Sequence, residues 1–112
     1  MESILTSIKQ MLGPSADDTH FDPDIIMHIN TVFFSLKQLG VGPAEGFFIE
    51  DASTTWSEYI ENPVEHNAVK TYMYAKVKLV FDPPQNPAHI KCLEQTVSEF
   101  EWRLNFDAES QS

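Results

Sequence analysis

A chain of 112 residues with 42% apolar and 12% aromatic side chains carries enough material for one hydrophobic core, and too much for a disordered tail. Seventeen Asp and Glu against seven Lys and Arg give a formal charge of −10, which opposes attraction to phosphate backbones and argues against a nucleic-acid reader. The single cysteine, Cys92, leaves no intrachain disulfide and no thiolate zinc cluster, and a reducing compartment fits best.

The carboxylates are scattered from Glu2 to Glu109, as on a solvated surface rather than in an acidic tail. "MESILTSIKQML" lacks a basic n-region and a long apolar run, so it is expected to be neither a signal peptide nor a membrane span, and the protein is expected in cytoplasm. A first helix is predicted over about Glu2 to Leu12, with Ile4, Leu5, Ile8, Met11 and Leu12 on one stripe and Gly13-Pro14 as its stop. "SADDTH" reads as a polar loop.

The second helix begins in "HFDPDIIMHIN". Asp22 suits the cap, Pro23 the first turn, and Asp24 the positive end of the helix dipole. It is predicted to reach Leu39, with Gly40 closing it. Ile25, Ile29, Val32, Phe33, Leu36 and Leu39 fall on one face, while Met27 and Phe34 fall together on the opposite side, which predicts contact from two directions.

"VGPAEGFFIEDASTTWSEYIENP" is irregular: Phe47 to Glu50 are predicted to be extended, and a short helix is predicted near Thr55 to Ile60, where Thr55 and Glu58 have capping-box spacing. Trp56 and Tyr59 are expected to pin this excursion to the body. A third long helix is predicted from about Pro63 to Phe81, stopped by "DPP". Its wheel is apolar almost all round, which makes it the candidate for the central helix, although "KVKLVF" within it also alternates like a strand. Lys76 fits worst, lying in the apolar arc between Val69, Met73 and Val80; it must snorkel outward or pair with a carboxylate of its own or a neighbouring chain.

The last helix opens at "NPAHIK", with Asn86 as cap and Pro87 in the first turn, and is predicted to run through about Asn105, a length of about 27 Å. Ile90, Leu93, Val97, Phe100 and Leu104 recur at spacings of 3, 4, 3 and 4, a seam along one side. Trp102 lies about 160° from the middle of that seam, with Phe106 beside it if the helix persists. Either a partner molecule covers these rings, or the chain folds back so that "DAST" or the first helix does.

The predicted fold is therefore all-α, a four-helix bundle-like single domain with a long C-terminal helix and an irregular excursion between the second and third long helices. It comprises residues 1–106, with 107–112 as a flexible tail. Its core is predicted from Ile29, Phe33, Leu36, Tyr72, Met73, Leu79, Val80, Leu93, Val97 and Phe100.

Candidate chemistry is sparse. His20, Asp22, Asp24 and His28 are the one cluster of ligand-type side chains close in sequence, but both carboxylates are already accounted for at the helix start and no cysteine supports them. His66 and His89 read as surface residues near helix starts. No nucleophile elbow or phosphate-cradling glycine loop is present, and Cys92 has no histidine at a suggestive spacing. No catalytic residue, metal or cofactor is expected.

The run of "HFDPDIIMHINTVFFSLKQLGVGP", "TTWSEYI", "VKTYMYAKVKLVFDPP" and "EWRLN" resembles the head-tail connector (adaptor) proteins of tailed bacteriophages and prophages, from about Ile4 to Asn105. The resemblance implies a non-enzymatic virion protein at the head-tail junction, present in host cytoplasm before assembly. It implies a ring, usually of twelve subunits, beneath the portal protein, which extends the DNA channel and gives the tail or stopper protein a docking surface. DNA would pass without specific binding, and no membrane is involved. The family's C-terminal helix grips the portal, so the resemblance places Glu99, Trp102, Arg103 and Phe106 against the portal or an adjacent subunit; Met27 and Phe34 are candidates for lateral packing. A small acidic regulator or DNA mimic that binds a host protein is the alternative, which would concentrate its carboxylates on one face. A metal-dependent enzyme using His20 and Asp22 is the third reading.

Overall fold

The computed structural model describes residues 3–13 and 19–111, with side chains as far as Phe106. Helix α1 spans Ile4–Leu12 and starts on Ser3, whose hydroxyl accepts the Thr6 N–H at 3.2 Å. This satisfies one of the donors that a helix start leaves open. Ile4, Leu5, Ile8 and Leu12 are buried as the stripe predicts, whereas Met11 is exposed at its edge. Glu2 and most of the expected polar loop, residues 15–18, lie outside the described residues.

Helix α2 spans Asp22–Gln38. Asp22 does not cap it: the residue lies inside the helix, Phe21 holds the cap position without a side-chain bond, and the Asp22 carboxylate takes Lys9 Nζ at 2.7 Å instead. The ammonium on α1 thus competes successfully for a carboxylate that local spacing assigned to the helix start. At the other end Gly40, with φ +86°, sends its N–H to Lys37 O while Val41 N–H reaches Leu36 O at 2.9 Å. This double closure needs a left-handed residue, which glycine adopts without a Cβ penalty.

The excursion from Val41 to Asn62 has little regular structure of its own. Asn30 on α2 replaces a strand partner, its Oδ1 accepting the Ile49 N–H at 2.8 Å and its Nδ2 donating to Ile49 O at 3.0 Å. Ile4 N–H also bonds Thr54 O at 3.0 Å, and Ser3 and Thr55 form an isolated bridge. Helix α3, Trp56–Tyr59, is a single turn in which the Glu58 carboxylate accepts the Thr55 N–H at 2.6 Å, as the capping-box spacing predicts. Trp56 and Tyr59 are both buried, and Gly42 lies flush against the Tyr59 ring: a Cβ there would come within 2.7 Å of it.

Helix α4, Pro63–Phe81, is the central element, packing against α1, α2, α3 and the last helix. The "KVKLVF" segment is helical throughout. Val69, Tyr72, Met73, Ala75 and Val77 are buried, but Val80, expected in the core, is 62% exposed. The all-round apolar wheel overstates how far this helix is covered near its C-terminal end, where Phe81 still packs on Phe21 but Val80 faces outward. Leu79, Val97 and Phe100 are half-buried; Ile29, Phe33, Leu36, Tyr72, Met73 and Leu93 are buried as expected.

Helix α5, Pro87–Gln111, begins with Asn86 Oδ1 accepting the Ala88 N–H at 2.8 Å. It continues past Asn105, where the pattern predicts its end. The side chains of the expected tail, 107–112, lie outside the described residues. With 25 residues it is about 37 Å long, which matches the 39 Å longest extent of the molecule. Asn105 Nδ2 donates to Leu39 O at 3.2 Å and ties it to the end of α2. The fold is all-α, with one core shared by α1, α2, the excursion, α4 and one side of α5.

Candidate functional site

Two surfaces stand out, on two helices that both pack against α4. The first is the outer face of α2. Ile25, Ile29, Val32, Phe33 and Leu36 turn inward, which forces Met27 and Phe34 outward by helical periodicity; they are 57% and 59% exposed. Together with Pro23, Ile26, Asn30 and Thr31 they line a shallow open groove. The stretch from Ile25 to Leu36 is the longest in the chain without Asp, Glu, Lys or Arg.

The second surface is on α5. Leu93 and Leu104 are buried on the seam, and Trp102 stands clear of it, 68% exposed. Its indole is stacked on the Phe106 ring, with centroids 5.5 Å apart and planes 16° from parallel. The two stacked rings form an exposed apolar tablet rather than lying under the excursion or α1. Among the described side chains, the neighbouring carboxylates Glu99 and Glu101 are both engaged. Glu99 pairs with Arg103 one turn further on, in the order that favours an (i, i+4) pair.

Glu101 reaches back to α4, where it accepts the Tyr72 hydroxyl at 2.8 Å and lies 3.7 Å from Lys76 Nζ. This answers where Lys76 goes: it pairs within the chain, its Nζ also lying 5.5 Å from the Tyr72 ring centroid. A partly exposed pair of this kind is worth about 1 kcal/mol or less. Burial, the bond to Glu101 and that carboxylate's charge all raise the Tyr72 pKa above its ordinary value, and burial alone raises that of Tyr59.

A raised folded-state pKa means that the neutral phenol belongs to the folded protein. Its contribution is therefore complete below the unfolded value of about 10 and is lost as pH rises past it. Tyr72→Phe should accordingly lose less melting temperature than the unsubstituted protein between about pH 8 and about pH 11. Equal losses would remove Tyr72 as a cause.

The candidate metal cluster is divided. Asp22 is held by Lys9, His20 packs edge-on to Phe21, Asp24 is exposed and His28 is half-buried. Among the described residues no group of three or more His, Cys, Asp or Glu could hold a metal ion. No helix among them is long and apolar enough to cross a membrane. Cys92 is exposed.

Sequence reasoning did not single out Ser7, Asn30 or Lys9, each of which bonds across the fold. A polar residue on an otherwise apolar helix face, as Ser7 is, was the available signal.

A family model described as phage connector protein matches residues 4–111, and the chain belongs to that family. Comparison with curated proteins and with solved structures gave no match.

Proposed function

We propose that the protein is a structural component of the phage head-tail junction, a ring beneath the portal that extends the DNA channel and carries the tail or stopper protein. The observation that carries this reading is the family match over almost the whole chain. The ring is dodecameric on the portal, and it assembles from subunits that wait in host cytoplasm. Its work is positional rather than catalytic. DNA passes through without specific binding: a formal charge of −10 per subunit, repeated around a channel, gives a negative field that discourages adhesion of a polyanion.

In this reading Glu99, Trp102, Arg103 and Phe106 contact the portal or an adjacent subunit, and Met27 and Phe34 take part in lateral packing. Large exposed rings beside an arginine are the residue types that dominate binding energy at interfaces. Electron microscopy of portal-bearing heads incubated with the purified protein is expected to show added density beneath the portal. In the same assay Trp102→Ala should weaken attachment by about 2 kcal/mol or more, roughly 30-fold. Heads that remain unchanged at saturating protein would overturn the reading.

A further inference from the structure

We infer that the two exposed surfaces are the two halves of one contact, the Trp102–Phe106 tablet on α5 of one copy seating in the α2 groove of the next. The inference rests on the ring reading and names the surfaces that would close it. Its starting point is charge. Two copies that each carry a formal −10 repel each other over most of their surface, so they can meet only where carboxylates are absent or neutralised.

Two places on the described surface that also expose large apolar side chains meet this condition. Apart from Pro23, which stands between Asp22 and Asp24 at one end, the groove is built from a stretch that carries no Asp, Glu, Lys or Arg from Ile25 to Leu36. Among the described side chains the tablet is flanked by Glu99 and Glu101, and both are paired internally, with Arg103 and with Lys76 and Tyr72. An oppositely charged partner would be drawn to the acidic remainder of the surface instead. An apolar, uncharged groove on an acidic protein suits a partner of the same sign, and a second copy is such a partner.

Shape and symmetry point the same way. The groove is shallow and open, and the stacked rings have more than half of each residue exposed. The two surfaces differ and lie on different helices, so each copy presents one donor and one acceptor. Head-to-tail contacts of this type continue until they close into a ring, whereas a surface that paired with itself would stop at a dimer. Asn30 and Thr31 on the groove floor have side-chain bonds within the chain, to Ile49 O and Met27 O, so covering them leaves these groups satisfied.

The test uses two single-cysteine proteins in a Cys92→Ser background. Thr31→Cys marks the groove and Ser98→Cys marks the exposed face of α5 one turn before Trp102, and both leave the apolar residues intact. Each is checked for an unchanged melt, then treated with a short bismaleimide, alone and mixed, in free solution at high concentration and on portal-bearing heads.

The mixture is expected to give a one-to-one cross-linked pair, each protein alone no pair, and Phe34→Glu or Trp102→Glu at least a tenfold lower yield. Cross-linking of either single variant with itself would show a self-paired surface and overturn the inference. Density beneath the portal without the mixed product would also overturn it while leaving the ring reading standing. Failure of the unsubstituted protein to associate with itself or with heads would remove both.

Discussion

Phe33→Ala is expected to destabilise the fold by about 3–5 kcal/mol, a large fraction of the 5–15 kcal/mol that holds a domain of this size. The ring is 1% exposed and touches Phe47 and Tyr59 at centroid distances of 5.1 and 4.7 Å, with those two rings 5.1 Å from each other. Three aromatic rings thus close a triangle between α2, the excursion and α3. Removing one leaves a cavity that cannot easily collapse. Asn30 holds the chain at Ile49 in place, and Gly42 already lies close against the Tyr59 ring.

The adjacent residue provides the control. Phe34→Ala removes the same atoms from a position 59% exposed and should stay within about 0.5 kcal/mol of the parent. Thermal melts of the two variants should therefore differ by roughly 12 °C or more, at about 4 °C per kcal/mol for a small domain. Equal melting temperatures would mean that the face of α2 assigned to the core is wrong.

That pair of phenylalanines also shows what could be read from the sequence. Their assignment to opposite faces follows from a period of 3.6 residues alone, and both lie where the period places them. The same reasoning located α4 as the central helix and Asn86 as the cap of α5. It failed where distant parts of the chain compete for a group. Asp22 has the spacing of a cap, but Lys9 lies thirteen positions earlier, and a local pattern cannot register an ammonium delivered by another helix.

Val80 failed for a related reason. An apolar wheel indicates what a helix can bury, whereas the number of neighbours at each turn decides what it does bury. The exposed tablet was legible because Trp102 lies off the seam. The stacking of its rings and the pairing of Glu101 were not, since they depend on ring geometry and on α4 lying beside Glu101.

Trp56→Ala should cost as much as the loss of Phe33, about 3–5 kcal/mol, and should do so by detaching the excursion. The indole is 1% exposed, its Nε1–H donates to Ser7 Oγ at 2.7 Å, and that hydroxyl in turn donates to Ile4 O at 3.1 Å. Lys70 Nζ lies over the ring, 5.8 Å from its centroid. A short chain of bonds therefore runs from the excursion into α1, and the ring fills the space between α1 and α4.

Trp56→Phe separates the two contributions. It keeps much of the apolar volume but removes the N–H, so a loss of about 1–2 kcal/mol is expected from the missing bond and the partly filled site. Ser7→Ala removes the hydroxyl and strands the buried indole N–H, which should cost about 1–3 kcal/mol. In the double variant Trp56→Phe with Ser7→Ala both partners are gone, and the combined loss should fall below the sum of the two single losses. Amide exchange in residues 47–60 should accelerate in Trp56→Ala well before exchange in α4 does, because the excursion is held by few bonds and α4 by packing against four other helices. If instead α4 and the excursion exchange together and the double cycle is strictly additive, Trp56 is an ordinary core residue and the excursion is held elsewhere.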